Sequence, residues 1–261
     1  MLTLNSASTL ERCLASVKDC REVILLDGNS TDGTQDMGRR LGARIEKQRD
    51  TDEPNVKIEN FTEMRLKSIA ATTQPWIFDL DSDEYASEEL IDEMRRIASS
   101  PNPDPKVAYH IRRKAIIEGR VIEHAHFYPY NYVSFYHKGS GITFKVGKRS
   151  HEKLYIPDDV TIVQLDGPVY GPWPSYRDAV RKDDYYLGLM RQQMRAASKK
   201  RFRSLRAAIK NFLTAGYIAL KAVGIHARYG FGKDVLPVRY TWRFVRYHLC
   251  VSWERLRQVI I

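Results

Sequence analysis

Apolar positions in the first hundred residues switch between two periods, and turn residues mark the switches. The stretch "STLERCLASVK" (8–18) puts Leu10, Leu14 and Val17 on one helical face, with Ser8 or Thr9 placed to cap and Glu11 in the first turn. "EVILLD" (22–27) is a short apolar run closed by an aspartate and predicts a strand. "GNSTDGT" (28–34) has turn chemistry and leads into a second helix through "TQDMGRRLG". "ARIEKQ" (43–48) predicts a strand, "NFTEMRLKSIAATT" (60–73) a helix and "WIFDLD" (76–81) another buried strand. "SEELIDEMRRIASS" (87–100) is a strongly patterned helix whose acidic start complements the helix dipole. Strand and helix taking turns in this way predict a parallel α/β sheet.

The texture changes after the proline-rich break "SPNPDP" (100–105). "VAYHIRRKAIIEGRVI", "YVSFYHKG" and "VTIVQLDG" read as later strands and hairpins, and from about Gly171 the chain is helical, basic and aromatic. Charge follows the same division. Of the net +10, residues 171–261 carry 19 Lys+Arg against 5 Asp+Glu, whereas residues 1–170 carry 23 against 27. Two regions are therefore expected: 1–170, an α/β domain, and 171–261, a basic helical extension suited to an anionic partner. Cys13, Cys20 and Cys250 lack metal-ligand spacing, which reads as a reducing compartment without a disulfide framework. The opening residues lack the apolar core of a signal peptide, and no uncharged apolar run reaches the ~18 residues of a membrane span.

The chemistry concentrates where two strands end. "EVILLD" and "WIFDLD" both finish in aspartate, and in open α/β sheets ligands bind beyond the carboxyl ends of strands. The second run continues as "FDLDSDEY" (78–85), with Asp79, Asp81, Asp83 and Glu84 crowded together. An Asp-x-Asp pair on a tight turn aims two oxygens at one point, which suits Mg²⁺ or Mn²⁺ carrying phosphate oxygens. The same residues also read as a solvated turn capping the next helix. Asp32 reads most simply as a cap of its turn or helix. "KRSHEKL" (148–154) gathers two cations, a histidine and a glutamate, and otherwise reads as an exposed polar hairpin.

Taken in order, "TLN", "DGNSTDGT", "LDSDE" and "RSHE" resemble the motifs of family 2 glycosyltransferases with the GT-A fold, and look closest to bacterial enzymes of lipopolysaccharide core and other cell-envelope glycans. The resemblance is close over roughly residues 1–170 and looser over the tail. It implies a Rossmann-like nucleotide-sugar-binding domain. By resemblance, Asp27 binds the nucleotide base, Thr3 and Asn5 line the same pocket, and Arg65 faces the nucleotide side. Asp81 lies near ribose and metal, and Asp83 is the direct metal ligand. Glu152 falls where this subgroup has its His-Glu pair, which makes it the candidate catalytic base. His151 joins the metal or hydrogen-bonds the diphosphate, while Arg149 and Lys148 neutralise leaving phosphate charge. The implied partners are a nucleotide-diphosphate sugar donor and a lipid-linked or glycan acceptor. Only Met1 and Leu2 precede "TLN" fully apolar in character, where a strand needs about 5–6 residues, so the first strand is read as truncated.

The tail stretch 191–230 mixes Arg and Lys with Phe, Leu, Ile and Tyr, and fits an amphipathic helix lying on anionic lipid. That places the protein in the cytoplasm, peripheral on the inner face of the cytoplasmic membrane. A packed helical appendage is the plainer alternative, and nucleic acid is not expected as a partner because no recognition motif accompanies the basic residues. Two other functions share the α/β pattern. A nucleotidyltransferase needs a glycine-rich phosphate loop, which "TLNSAST" is not, and a degenerate transferase would serve as a membrane-bound scaffold.

Overall fold

The computed structural model describes residues 1–145, 154–196 and 201–260. The chain opens with β1 (Leu2–Thr3), α1 (Ala7–Ser16), β2 (Ile24–Asp27), α2 (Thr34–Arg40), β3 (Arg44–Lys47) and α3 (Phe61–Ala71). Then come β4 (Trp76–Phe78), β5 (Tyr85–Ala86), α4 (Glu88–Ala98), β6 (Val107–Ile117), β7 (Arg120–Val121) and β8 (Asn131–His137). After β9 (Thr143–Phe144), β10 (Leu154–Tyr155) and the long β11 (Thr161–Pro172), the described residues form α5 (Tyr176–Ala196), α6 (Arg201–Tyr229) and α7 (Val238–Ile260). The chain divides into two compact units, Met1–Lys114 with Pro129–Pro172, and Ala115–Tyr128 with Trp173–Ile261.

Local chemistry accounts for the helices of the first unit. Asn60 caps α3 by accepting from the Glu63 amide, and Ser87 caps α4 by accepting from the Leu90 amide. In α4, Glu88 and Glu89 sit in the first turn and Arg95 and Arg96 in the last, as the dipole favours, while Leu90, Ile91 and Met94 are buried. The three-stranded sheet β1-β2-β3 is parallel, with Thr3 opposite Asp27 and Leu25 opposite Ile45. The larger sheet runs β4-β8-β6-β11-β5, with β7 on β6. There β4–β8, β8–β6 and β11–β5 are antiparallel, so the architecture is mixed α/β rather than a single parallel sheet. The physical reason is tertiary register: the short apolar run of β4 suits either direction, and it finds its partner in the later strand β8. The expected strand 76–81 also ends early, at Phe78, because the aspartates turn the chain out of the ladder. A core of Cys13, Val17, Leu80, Leu90, Ile111, Phe135 and Val169 joins α1, α4 and this sheet.

The second unit is helical apart from the Ala115–Tyr128 segment. Ala115, Ile117, Ile122, Leu236 and Tyr240 form its core. Helices α6 and α7 pack as an antiparallel pair, with Ala215 and Ile218 of α6 on Val245 of α7. Ser252 donates to the Ala208 carbonyl at 2.9 Å across that seam. Asp183 of α5 is held by Arg243 of α7 at 2.8 and 2.9 Å.

Candidate active site

Two loops leave the strand ends and meet the start of α1. The first follows β2. Asp27 is buried at the end of that strand, and its two oxygens take four hydrogen bonds: from Thr3 Oγ1 (2.9 Å), the Ser30 amide (2.8 Å), Ser30 Oγ (2.6 Å) and Gln35 Nε2 (2.8 Å). Asn5, with a left-handed φ of 51°, stitches the same loop: its amide donates to Ser30 Oγ at 2.8 Å and its side chain accepts from the Thr31 amide at 3.0 Å. Gly28 lies 2.5 Å (from its would-be Cβ) from the Val56 carbonyl, so only glycine lets the 54–56 segment lie along this loop. Asp32 caps as its turn chemistry predicts, accepting from the Ala7 amide at the start of α1 and from Thr34.

The second loop follows β4. Arg65 of α3 reaches both Asp79 (2.5 Å) and Asp81 (2.6 Å), so the two aspartates that follow β4 share one side. Arg113 of β6 pairs with Glu84 and lies 3.9 Å from Asp81. Ser82 meets α1 through Ser6 Oγ (3.0 Å) and Thr9 Oγ1 (3.0 Å), which ties this loop to the helix start that Asp32 also holds. Thr3, Asn5, Asp27, Arg65, Asp81 and Asp83 are thus brought into one neighbourhood of the first unit. Lys148, Arg149, His151 and Glu152 lie outside the described residues.

Four carboxylates face two guanidinium groups here, and their titration reflects the imbalance. Burial works to raise Asp81, but Arg65 and then Arg113 outweigh it and hold its carboxyl below the ordinary range. Asp83 has no ion pair among the described residues. Burial, then the neighbouring charge of Asp81, pushes its carboxyl up. Burial is also the chief reason that Glu84 is pushed up to about 7; Arg113 pulls it down and Asp81 adds to the rise. For Glu84 the ion pair and the raised pKa point in opposite directions, and burial prevails because the carboxylate is almost fully removed from water. Among the described residues no three His, Cys, Asp or Glu side chains converge as a metal cluster. The donors that are present nevertheless fit a hard divalent cation: an unpaired carboxylate at Asp83, beside Asp81, in a pocket with excess negative charge.

Several members of this neighbourhood carry no sequence signal. Arg113 sits in an alternating strand, "HIRRK", 29 residues after its partner Glu84. Gln48 is buried and donates to the Thr3 and Leu26 carbonyls at 3.1 Å each. Only the folded chain brings these to the loops. A cavity of about 650 Å³ lies between Val23–Ile24 and Trp76–Phe78; it is lined mainly by apolar side chains and shares Arg65 and Asp79 with this site, whereas Asp27, Asp81 and Asp83 do not face it.

The sequence model of the family described as "Glycosyl transferase family 2" matches residues 1–151. The chain belongs to glycosyl transferase family 2. Its relatives in the family include an uncharacterized glycosyltransferase of Rickettsia bellii, 29% identical over 77% of this chain and 68% of that protein. A second, from Rickettsia typhi, is 26% identical over 95% of this chain and 82% of that one. Among solved structures, this family 2 glycosyltransferase is similar to Staphylococcus aureus TarS, at 15% identity and a TM-score of 0.45 over 94% of this chain and 53% of that one. It is also similar to glucosyl-3-phosphoglycerate synthase of Mycobacterium tuberculosis, at 21% identity and a TM-score of 0.32 over 44% of this chain and 42% of that one. The chain thus spans about half the length of these two solved proteins. No helix among the described residues is long and apolar enough to cross a membrane.

Proposed function

We propose that this family 2 glycosyltransferase moves a sugar, with inversion, from a nucleotide-diphosphate sugar to a hydroxyl of a lipid-linked or surface-glycan acceptor. The observation that carries the reading is the meeting of the two strand-end loops at the start of α1, one organised around buried Asp27 and the other carrying an excess of carboxylates. In this reading Thr3 and Asn5 shape the nucleotide pocket around Asp27, and base recognition exchanges one of its side-chain donors, Ser30 or Gln35, for the ligand. Arg65 fixes the direction of Asp81 toward the ribose. Asp83, with Asp81 and His151, would hold Mg²⁺ or Mn²⁺, which when bound supplies positive charge to the diphosphate. Lys148 and Arg149 add charge for the same leaving group.

The transfer is a displacement at the anomeric carbon. The acceptor oxygen forms the new bond from the face opposite the diphosphate, its proton goes to Glu152, and the bond to the phosphate oxygen breaks with its electron pair. Residues 1–170 carry donor binding in this scheme, and residues 171–261 attach the protein peripherally to the inner face of the cytoplasmic membrane, where such acceptors reside. Glu152→Gln tests the chemical assignment. The amide is nearly isosteric but does not accept the proton, so donor affinity should persist while turnover falls by about 10²–10⁴. Retention of most turnover across a panel of nucleotide sugars would move the base to another carboxylate, with Asp158 and Asp159 next to examine.

A further inference from the structure

Helix α6 has two apolar faces. One is the seam with α7, where Ser204, Ala208, Ala215, Ile218 and Ala222 are buried. At 100° per residue, Phe202, Ile209, Leu213 and Leu220 fall on the opposite side, pointing away from that seam. Phe202 is 76% exposed and Leu220 75%, although a helix that is apolar all round is normally covered. Ile218 belongs to the buried seam.

The partner helix repeats the arrangement. Val238, Trp242, Leu249 and Trp253 recur along one outward line of α7, and both tryptophans are more than half exposed, at 59% and 54%. The two lines meet at the turn. Val223 of α6, Phe231 of the connection, and Val238 and Trp242 of α7 line one groove of about 550 Å³, with Phe231 80% exposed. The result is a helical hairpin with an unburied apolar surface along its length and an exposed phenylalanine near its tip.

Charge indicates what covers it. Arg203, Arg206 and Lys210 flank the line on α6 and Arg257 flanks the line on α7, where Arg239 and Arg246 are held by Glu118 and Asp184. Residues 201–260 carry 12 Lys+Arg against 2 Asp+Glu. Both acids are engaged locally, Glu254 with Arg191 and Asp234 with His124. A second copy would bring an equally cationic face to this one, so like charges oppose self-association. A surface that is anionic, with an apolar layer just beneath it, matches both features, and tryptophan is the side chain that suits such a boundary.

We propose that the outward face of the α6–α7 hairpin is a lipid-docking surface: the hairpin lies in the plane of an anionic membrane, with Phe231, Leu220 and Trp242 inserted at the acyl boundary and Arg203, Arg206, Lys210 and Arg257 at the headgroup phosphates. Neither helix crosses the bilayer, in keeping with the lack of a sufficiently long apolar segment among the described residues. The extent of Phe202 to Val223, about 30 Å at 1.5 Å per residue, is an in-plane footprint. Its use, confining the enzyme to the surface that holds its acceptor, rests on the transferase reading above. Vesicle binding requires no turnover, so the two can fail separately.

The experiment is co-sedimentation of the full chain with vesicles of phosphatidylglycerol and phosphatidylcholine, or of phosphatidylcholine alone, at low and high salt. Binding should require the anionic lipid and weaken several-fold at high salt. The double variant Phe231→Ser, Trp242→Ser should lose at least tenfold in partitioning while melting like the parent, because neither side chain is part of a core. Acyl-brominated lipid should quench tryptophan emission, and Trp242→Phe should retain binding while losing much of that quenching. Equal binding to zwitterionic vesicles, unchanged partitioning of the double variant, or dimerisation through this face without vesicle binding would each overturn the assignment.

Discussion

Two strands end in aspartate in this protein, and the two turns that follow behave differently. At the first, Asp27 meets four neutral donors, so its charge is spread through hydrogen bonds that knot β1, the loop and α2 together. At the second, Asp79 and Asp81 share Arg65, Glu84 takes Arg113, and Asp83 is left with no ion pair among the described residues. A carboxylate surrounded by donors is a scaffold; a carboxylate surrounded by carboxylates stores repulsion that a cation relieves. Similar letters at the ends of two strands therefore imply rigidity in one loop and unspent binding capacity in the other.

The largest expected effect of breaking this contrast is structural. Asp27→Ala removes four acceptor contacts and strands the buried Thr3 hydroxyl, so it should destabilise the first unit by about 3 kcal/mol. Urea titration followed by far-UV circular dichroism measures this, and a change within about 0.5 kcal/mol would show that the knot is dispensable. Asp83→Ala should act in the opposite sense. It leaves stability unchanged or slightly raised, because it deletes an unpaired charge beside Asp81, but it should lower Mn²⁺-dependent nucleotide affinity by about 100-fold. Calorimetry with nucleotide diphosphate, with and without Mn²⁺, reads both; unchanged affinity would remove Asp83 from the metal.

The contrast was only half legible in the sequence. Helix and strand periodicity gave the elements from α1 to α4 except the two-residue β5, with ends off by up to three residues, since capping and side-chain turns decide where a ladder stops. The aspartates were visible as strand ends, but their difference was not. It depends on Ser30 and Gln35 folding back on Asp27 and on Arg113 arriving from β6, and strand periodicity does not identify a charged partner across a sheet. The parallel expectation failed at β4–β8, β8–β6 and β11–β5 for the same reason: pairing partners are chosen by tertiary register, and the apolar run "WIF" suits either direction. In the tail, basic and aromatic composition showed amphipathicity, whereas the division of α6 into a seam and an outward face needed the partner helix.

The smallest effect concerns pH and sharpens the comparison within the second turn itself. Glu84 lies buried beside Arg113, and its pKa is about 7 against an ordinary 4.5. Between those values the folded state binds more protons than the unfolded state, so stability falls as pH rises. The contribution of protonated Glu84 is complete below about 4.5 and is lost as pH passes through 7. Glu84→Gln keeps an acceptor for Arg113 and for the Asp81 amide but does not titrate. Relative to that variant, the parent should lose roughly 1–2 kcal/mol between pH 5 and 7.5, less than the full shift implies because Arg113 relaxes toward the newly formed charge. Saturating Mn²⁺ should shrink the difference, since a cation in this pocket favours the ionised carboxylate, and removing it with a chelator should restore the slope. Thermal melts of the two proteins across this range, with Mn²⁺ and with chelator, make the comparison. A parent that instead gains stability over the variant as pH rises would mean that Arg113 outweighs burial, and the second turn would then be balanced much as the first is.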